Sequence, residues 1–103
     1  MIHRKFESQL PIIIKVLKAH KIKSVYAFGS VVNSRFNSKS DIDLLINFED
    51  GLEPIERGKL MWNLEFALEN KLSRKFDLIQ EKTPRNIYFI KELNETKLLI
   101  FLK

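Results

Sequence analysis

The chain of 103 residues has no cysteine, which excludes disulfides and cysteine-ligated zinc. Its only two histidines, His3 and His20, have no partner at metal-ligand spacing and read as surface residues. Glycine and proline number three each, and no linker, repeat or low-complexity segment interrupts the chain. No apolar run approaches the roughly 20 residues needed to span a bilayer. The opening Met-Ile-His-Arg-Lys is not followed by an apolar stretch of the kind a signal peptide carries. These absences predict a soluble cytoplasmic protein with no membrane association.

What is present is enough for one core. Apolar residues make up 45% of the chain, with eight Phe, two Tyr and one Trp among them. The length suits a single domain over residues 1–103, two layers deep. The net charge of +5 suits a polyanionic partner: nucleic acid, ATP or an acidic protein. The lysines are spread along the chain rather than clustered, so charge alone gives little support to specific nucleic-acid binding.

Residues 5–20 read as an amphipathic helix, with Ile13, Val16, Leu17 and His20 on one stripe. Pro11 is awkward inside it and marks either a late start or a kink. The stretch Ser24–Ser30 (SVYAFGS) reads as a buried strand stopped by Gly29. A polar, Asn- and Ser-rich segment follows, then a second strand, DIDLLINFE. Alternation there places Asp41, Asp43 and Leu45 on one face, with Ile42, Leu44 and Ile46 on the other. After the EDGLEP turn, residues 55–70 read as a long helix. Its stripe is Leu60, Leu64, Ala67 and Leu68, widened by Met61 and Trp62, both read as packing residues. KFDLIQ reads as a third strand, and Pro84 or Arg85 opens a last helix reaching about Leu93. The closing KLLIFLK is a strand or a helical end; periodicity does not decide. The fold class is therefore α/β, with a small mixed sheet of three or four strands carrying helices on one face.

The carboxylates stand out. Asp is disfavoured in strands, so two on one face of an apolar run ask for a reason. Their Cβ atoms lie roughly 6–7 Å apart along a strand, close enough to converge on one ion. Oxygen-only ligation suits Mg²⁺ or Mn²⁺, which fill the rest of their shell with water and phosphate oxygens. The competing reading is a solvated strand edge. Gly29-Ser30 ends the preceding strand, where glycine permits a tight turn and the close approach of a phosphate, and Ser30 offers a hydroxyl. Asp77 is a lone acid in a short apolar strand. If that strand lies beside the Asp41–Phe48 strand, Asp77 joins the same cluster, and three carboxylates can hold two metals. Otherwise it is an edge-strand acid paired with Arg74 or Lys75, in a turn that with Lys71 reads as solvated.

Taken together, these residues resemble the DNA polymerase β-like nucleotidyltransferase superfamily. Its pattern is Gly-Ser, a spacer of about ten residues, Asp-x-Asp, and a later strand with a third acid. Here FGS, the ten residues Val31 to Ser40, DID and then Asp77 reproduce it. The phrases YAFGS, KSDIDLLINFE and KFDLIQE are most similar to the stand-alone minimal nucleotidyltransferases of bacteria and archaea, over about residues 10–100. The resemblance implies a polymerase β palm-like fold. It implies that Asp41 and Asp43 bind both metals and that Asp77 joins them and helps activate an acceptor hydroxyl. It implies that Gly29 and Ser30 hold the triphosphate. Many relatives continue Gly-Ser with a basic run; here Val31-Val32-Asn33-Ser34-Arg35 leaves Arg35, with Lys39 second, as the phosphate-binding cations. The implied reaction transfers AMP from ATP and releases pyrophosphate. The implied context is the antitoxin half of a toxin–antitoxin pair, acting on a separate HEPN-type protein. Two other readings stand beside it: a catalytically weak module that neutralises a partner by docking, and a nucleic-acid-binding domain. Oligomeric state is left open, and a homo-oligomer is compatible with the sequence.

Overall fold

The structure, a computed structural model, describes residues 4–29, 41–80 and 97–103. Two short helices, α1 (Arg4–Glu7) and α2 (Leu10–Leu17), precede strands β1 (Ile22–Phe28) and β2 (Ile42–Phe48). The long helix α3 (Pro54–Leu72) leads into β3 (Phe76–Gln80), and β4 (Leu98–Leu102) comes last. The four strands form one mixed sheet in the order β3-β2-β1-β4. β1 pairs antiparallel with both β2 and β4, whereas β2 and β3 run parallel.

The single helix expected over residues 5–20 is two. Pro11 has no N–H to donate and its ring crowds the carbonyl four residues back, so a continuous helix through Glu7–Pro11 is excluded. The chain instead turns at Ser8-Gln9, where the Gln9 N–H donates to Phe6 O at 2.9 Å. α2 then restarts with Pro11 in its first turn, where a missing N–H costs nothing.

The parallel β2–β3 pair requires a crossover, and α3 supplies it. α3 has Pro54 at its start, and Ser73 in the left-handed region (φ 49°) ends it. Its buried residues Leu64 and Leu68 pack with Ile13 and Leu17 of α2 and with one face of the sheet: Val25, Ala27, Ile42, Leu44, Ile46 and Phe76. Met61 and Leu60 join that core, but Trp62 does not. Its side chain is 74% exposed, beside the similarly exposed Ile55 and Phe66. At 100° per residue Trp62 lies roughly 160° around the helix from Leu64 and roughly 120° from Leu68, so it cannot widen their stripe. His20, expected at the surface, is half-buried, and its ring Nδ1 lies 2.8 Å from Val16 O.

The closing segment is resolved as a strand: β4 pairs with β1, whose hydrogen-bonding edge would otherwise be bare. The helix expected from Pro84 to Leu93 lies outside the described residues. Among the described residues no helix is long and apolar enough to cross a membrane.

Candidate active site

Asp43 and Asp77 sit on the sheet face turned away from the described helices. Along β2, Ile42, Leu44 and Ile46 enter the core, so the period of two sends Asp43 to the opposite face. Leu45 on that face is also buried, as befits a strand inside the sheet. The β2–β3 register places Asp43 directly beside Asp77. Neighbouring strands lie roughly 4.8 Å apart, and the two carboxyl groups are close enough to share a hydrogen bond. Asp77 is thus a direct neighbour of Asp43. It is exposed and stands on the edge strand of the sheet that the described residues form.

Two carboxylates this close repel when both are charged. The Asp43 carboxyl is accordingly pushed up to about 6, first by burial, then by the charges of Asp77 and Asp41, and last by its hydrogen bond with Asp77. Asp41 is exposed just ahead of β2, near enough to act electrostatically without closing the cluster. Among the described residues, no three His, Cys, Asp or Glu side chains gather closely enough to cage a metal unaided. The donor set is a carboxylate pair with a third acid at its margin. That suits Mg²⁺ or Mn²⁺, which usually take one or two protein carboxylates and draw other ligands from water and substrate phosphates.

Gly29 completes the described part of the site. Phe28 lies across from Asp43 in the β1–β2 ladder, and Gly29 follows it with φ 73°. That φ is in the left-handed region, which glycine enters without steric penalty. A second constraint is independent of φ. A Cβ on Gly29 would overlap Asp43 Oδ2 and stand 3.2 Å from its Cγ. The glycine therefore makes room for the Asp43 carboxylate itself. Ser30, Arg35 and Lys39, the other residues expected to contact a triphosphate, lie outside the described residues.

One neighbour reads differently from its sequence setting. Arg74, part of an expected solvated turn, is half-buried, and burial lowers its affinity for its proton while the Asp41 charge restores part of it. Arg74 is thus a cation in the electrostatic reach of Asp41. Its nearness to Asp77 in sequence was the only signal available.

Comparison with known proteins bears on the family and the fold. Residues 12–103 match the family model described as Polymerase beta, Nucleotidyltransferase. The chain is 38% identical over 87 residues to a Methanocaldococcus jannaschii protein named "Putative protein adenylyltransferase MJ1217", covering 84% of this chain and 85% of that one. Among solved structures, a crystal structure described as a toxin-antitoxin with AMP-PNP superposes with a TM-score of 0.70 at 24% identity, over 91% of this chain and 73% of that one. A second, a tri-AMPylated Shewanella oneidensis HEPN toxin in complex with MNT antitoxin, gives 0.65 at 22%, over 94% and 72%. Those two establish a shared fold, while the family model spans most of the chain and takes in all three acids and Gly29. The chain belongs to the polymerase beta nucleotidyltransferase family.

Proposed function

We propose that this protein transfers AMP from ATP to a hydroxyl group on a partner protein, with Mg²⁺ or Mn²⁺ held by Asp41, Asp43 and Asp77. The observation that carries the reading is the Asp43–Asp77 pair. Two acids side by side on neighbouring strands, one holding its proton up to about pH 6, are costly to the fold and are relieved by a divalent cation. When bound, the ion neutralises triphosphate charge and favours in-line displacement. The remaining work is positioning. Gly29 leaves room for the Asp43 carboxylate, and Gly29 and Ser30, with Arg35 and Lys39, hold the triphosphate. Asp77, exposed on the edge strand, meets an acceptor hydroxyl arriving from outside. That oxygen attacks the α-phosphorus as the bond to pyrophosphate breaks, and the Asp77 carboxylate takes up the hydroxyl proton.

The acceptor we favour is a HEPN-type toxin, with the chain as cytoplasmic antitoxin. Support comes from the relative named for protein adenylylation and from the AMPylated HEPN toxin among the fold neighbours. The test is incubation with ATP, Mg²⁺ and the product of the neighbouring gene, read by intact-mass spectrometry. The expected result is a mass gain of one or more AMP on the partner, lost with Asp41→Asn/Asp43→Asn and on chelation. No adduct with the wild type, together with full neutralisation of the partner by that double variant, would replace transfer by docking alone.

A further inference from the structure

We infer that Glu69 is a positioning residue for Asp77, clamping the Lys75–Phe76 peptide unit, one residue ahead of it, from the side opposite to β2. The inference rests on the metal-binding reading of the acids for its functional half and on geometry alone for its structural half.

β3 begins at the sheet edge immediately after the αL turn at Ser73. The peptide between Lys75 and Phe76 carries two polar groups that point in opposite directions, because the peptide bond is planar and trans. Its carbonyl accepts from the Ile42 N–H of β2 at 3.1 Å. Its N–H therefore faces away from β2, on the side where β3 pairs with no other strand among the described residues. That N–H donates instead to the Glu69 carboxylate of α3, Oε2 at 3.0 Å. One peptide plane is thus held from both sides, by β2 and by the last turn of the crossover helix. Asp77 is the next residue but one along the chain from Lys75, and its register partner is Asp43. Fixing that plane fixes the height at which the Asp77 carboxylate meets its neighbour.

The placement of Glu69 runs against its local environment. An acid in the last turn of a helix is disfavoured by the helix dipole, and Glu69 lies one turn from the end of α3. The bond to Phe76 supplies a reason for an acid there. A hydrogen bond to a charged acceptor is also stronger than a neutral one. Phe76 itself is fully buried, so its side chain anchors the same residue from the core. The N–H clamp adds what core packing does not: it sets the rotation of the peptide about the strand axis.

Two variants test this. Glu69→Gln keeps a carbonyl acceptor of the same reach, and Glu69→Ala removes it. Hydrogen exchange of the Phe76 and Asp77 amides, with Leu44 as the interior reference, reads the clamp without metal. Mn²⁺ affinity, by titration calorimetry, reads its consequence at the acids. Glu69→Ala is expected to speed exchange at Phe76 and Asp77 relative to Leu44 by tenfold or more. It is expected to weaken Mn²⁺ binding about tenfold, the scale of losses from residues that orient metal ligands. Glu69→Gln is expected to stay within about threefold of wild type in both. Unchanged exchange at Phe76 and Asp77 in a folded Glu69→Ala protein overturns the clamp. Faster exchange with unchanged Mn²⁺ affinity reduces Glu69 to a purely structural residue and overturns the positioning role. A wild type that binds no Mn²⁺ at millimolar concentration overturns the positioning role together with the metal reading, and the exchange data then decide the clamp alone.

Discussion

Gly29 and the Asp43 carboxylate occupy one another's space: the glycine at the end of β1 has no Cβ where Oδ2 of the aspartate on β2 lies. Gly29 and Asp43, which lie on either side of the Val31–Ser40 spacer in the sequence, therefore pack directly against each other. Gly29→Ala imposes both a left-handed φ on an L-residue and a clash with Asp43. The backbone part alone costs about 1–2 kcal/mol. We expect a lower denaturation midpoint with unchanged slope, and Mn²⁺ affinity reduced at least tenfold because Asp43 must move. An alanine variant as stable as wild type would show that the turn is freer than its geometry indicates.

The pH response of the metal-free protein follows from Asp43. Its carboxyl titrates at about 6 in the fold against 3.8 for the ordinary side chain. The fold thus favours the protonated form. The contribution of this group is most favourable below pH 3.8 and is lost as pH rises through 6. In EDTA, Asp43→Asn should melt higher than wild type at pH 7.5, and the two should converge towards pH 4. Saturating Mn²⁺ should reverse the order at pH 7.5, since the amide cannot replace the carboxylate as a ligand. Melting curves at the two pH values, with and without the ion, check all of this.

Within α3, two substitutions should act in opposite directions. Gly58 has open space where its Cβ would be and no positive φ, so nothing in the described structure requires a glycine there. Gly58→Ala should stabilise by about 0.5–1 kcal/mol through helix propensity and a less mobile unfolded chain. Leu64→Ala empties a fully buried position in the core and should destabilise by about 2–5 kcal/mol. Urea unfolding of the two variants beside wild type gives both values.

Trp62 is the only tryptophan, so intrinsic fluorescence reports one site. At 74% exposure its emission in the isolated native chain should sit close to that of indole in water. Trp62→Ala should change stability by no more than about 0.5 kcal/mol, as for surface positions elsewhere. A strongly blue-shifted native spectrum would show that Trp62 is covered in solution.

Much of this architecture was legible because period and chemistry coincide. In β2 the alternation of Ile42, Leu44 and Ile46 with Asp43 assigned both the strand and its faces. The three strands around the acids, the long α3 and the mixed sheet follow from such patterns. The break at Ser8-Gln9 was legible only as the awkwardness of Pro11. Trp62 was misplaced because its residue type outweighed its angular position; the helical wheel, applied strictly, puts it outside. β4 was ambiguous because a fully apolar run carries no period. What the sequence could not provide was pairing. Asp77 beside Asp43 depends on a parallel register between strands joined through α3, and no local signal specifies that. Glu69 was invisible for the same reason, although an acid in a helix's last turn is an anomaly worth noticing. The spacer with Ser30, Arg35 and Lys39 falls outside the described residues, so that part of the resemblance rests on sequence.

The crossover through α3 has a consequence for how the protein acquires its chemistry. The Asp43–Asp77 pair is a long-range contact whose two halves are strangers until the helix has docked and the parallel ladder has closed. Parallel pairing is entropically slow to nucleate, so an unfolded or half-folded chain offers scattered acids with little hold on an ion. Competence for divalent binding should therefore appear in one step, together with the β2–β3 register, during refolding. The ion then becomes a timer for that event: added before refolding or after it, it should leave the folding rate nearly unchanged and slow unfolding.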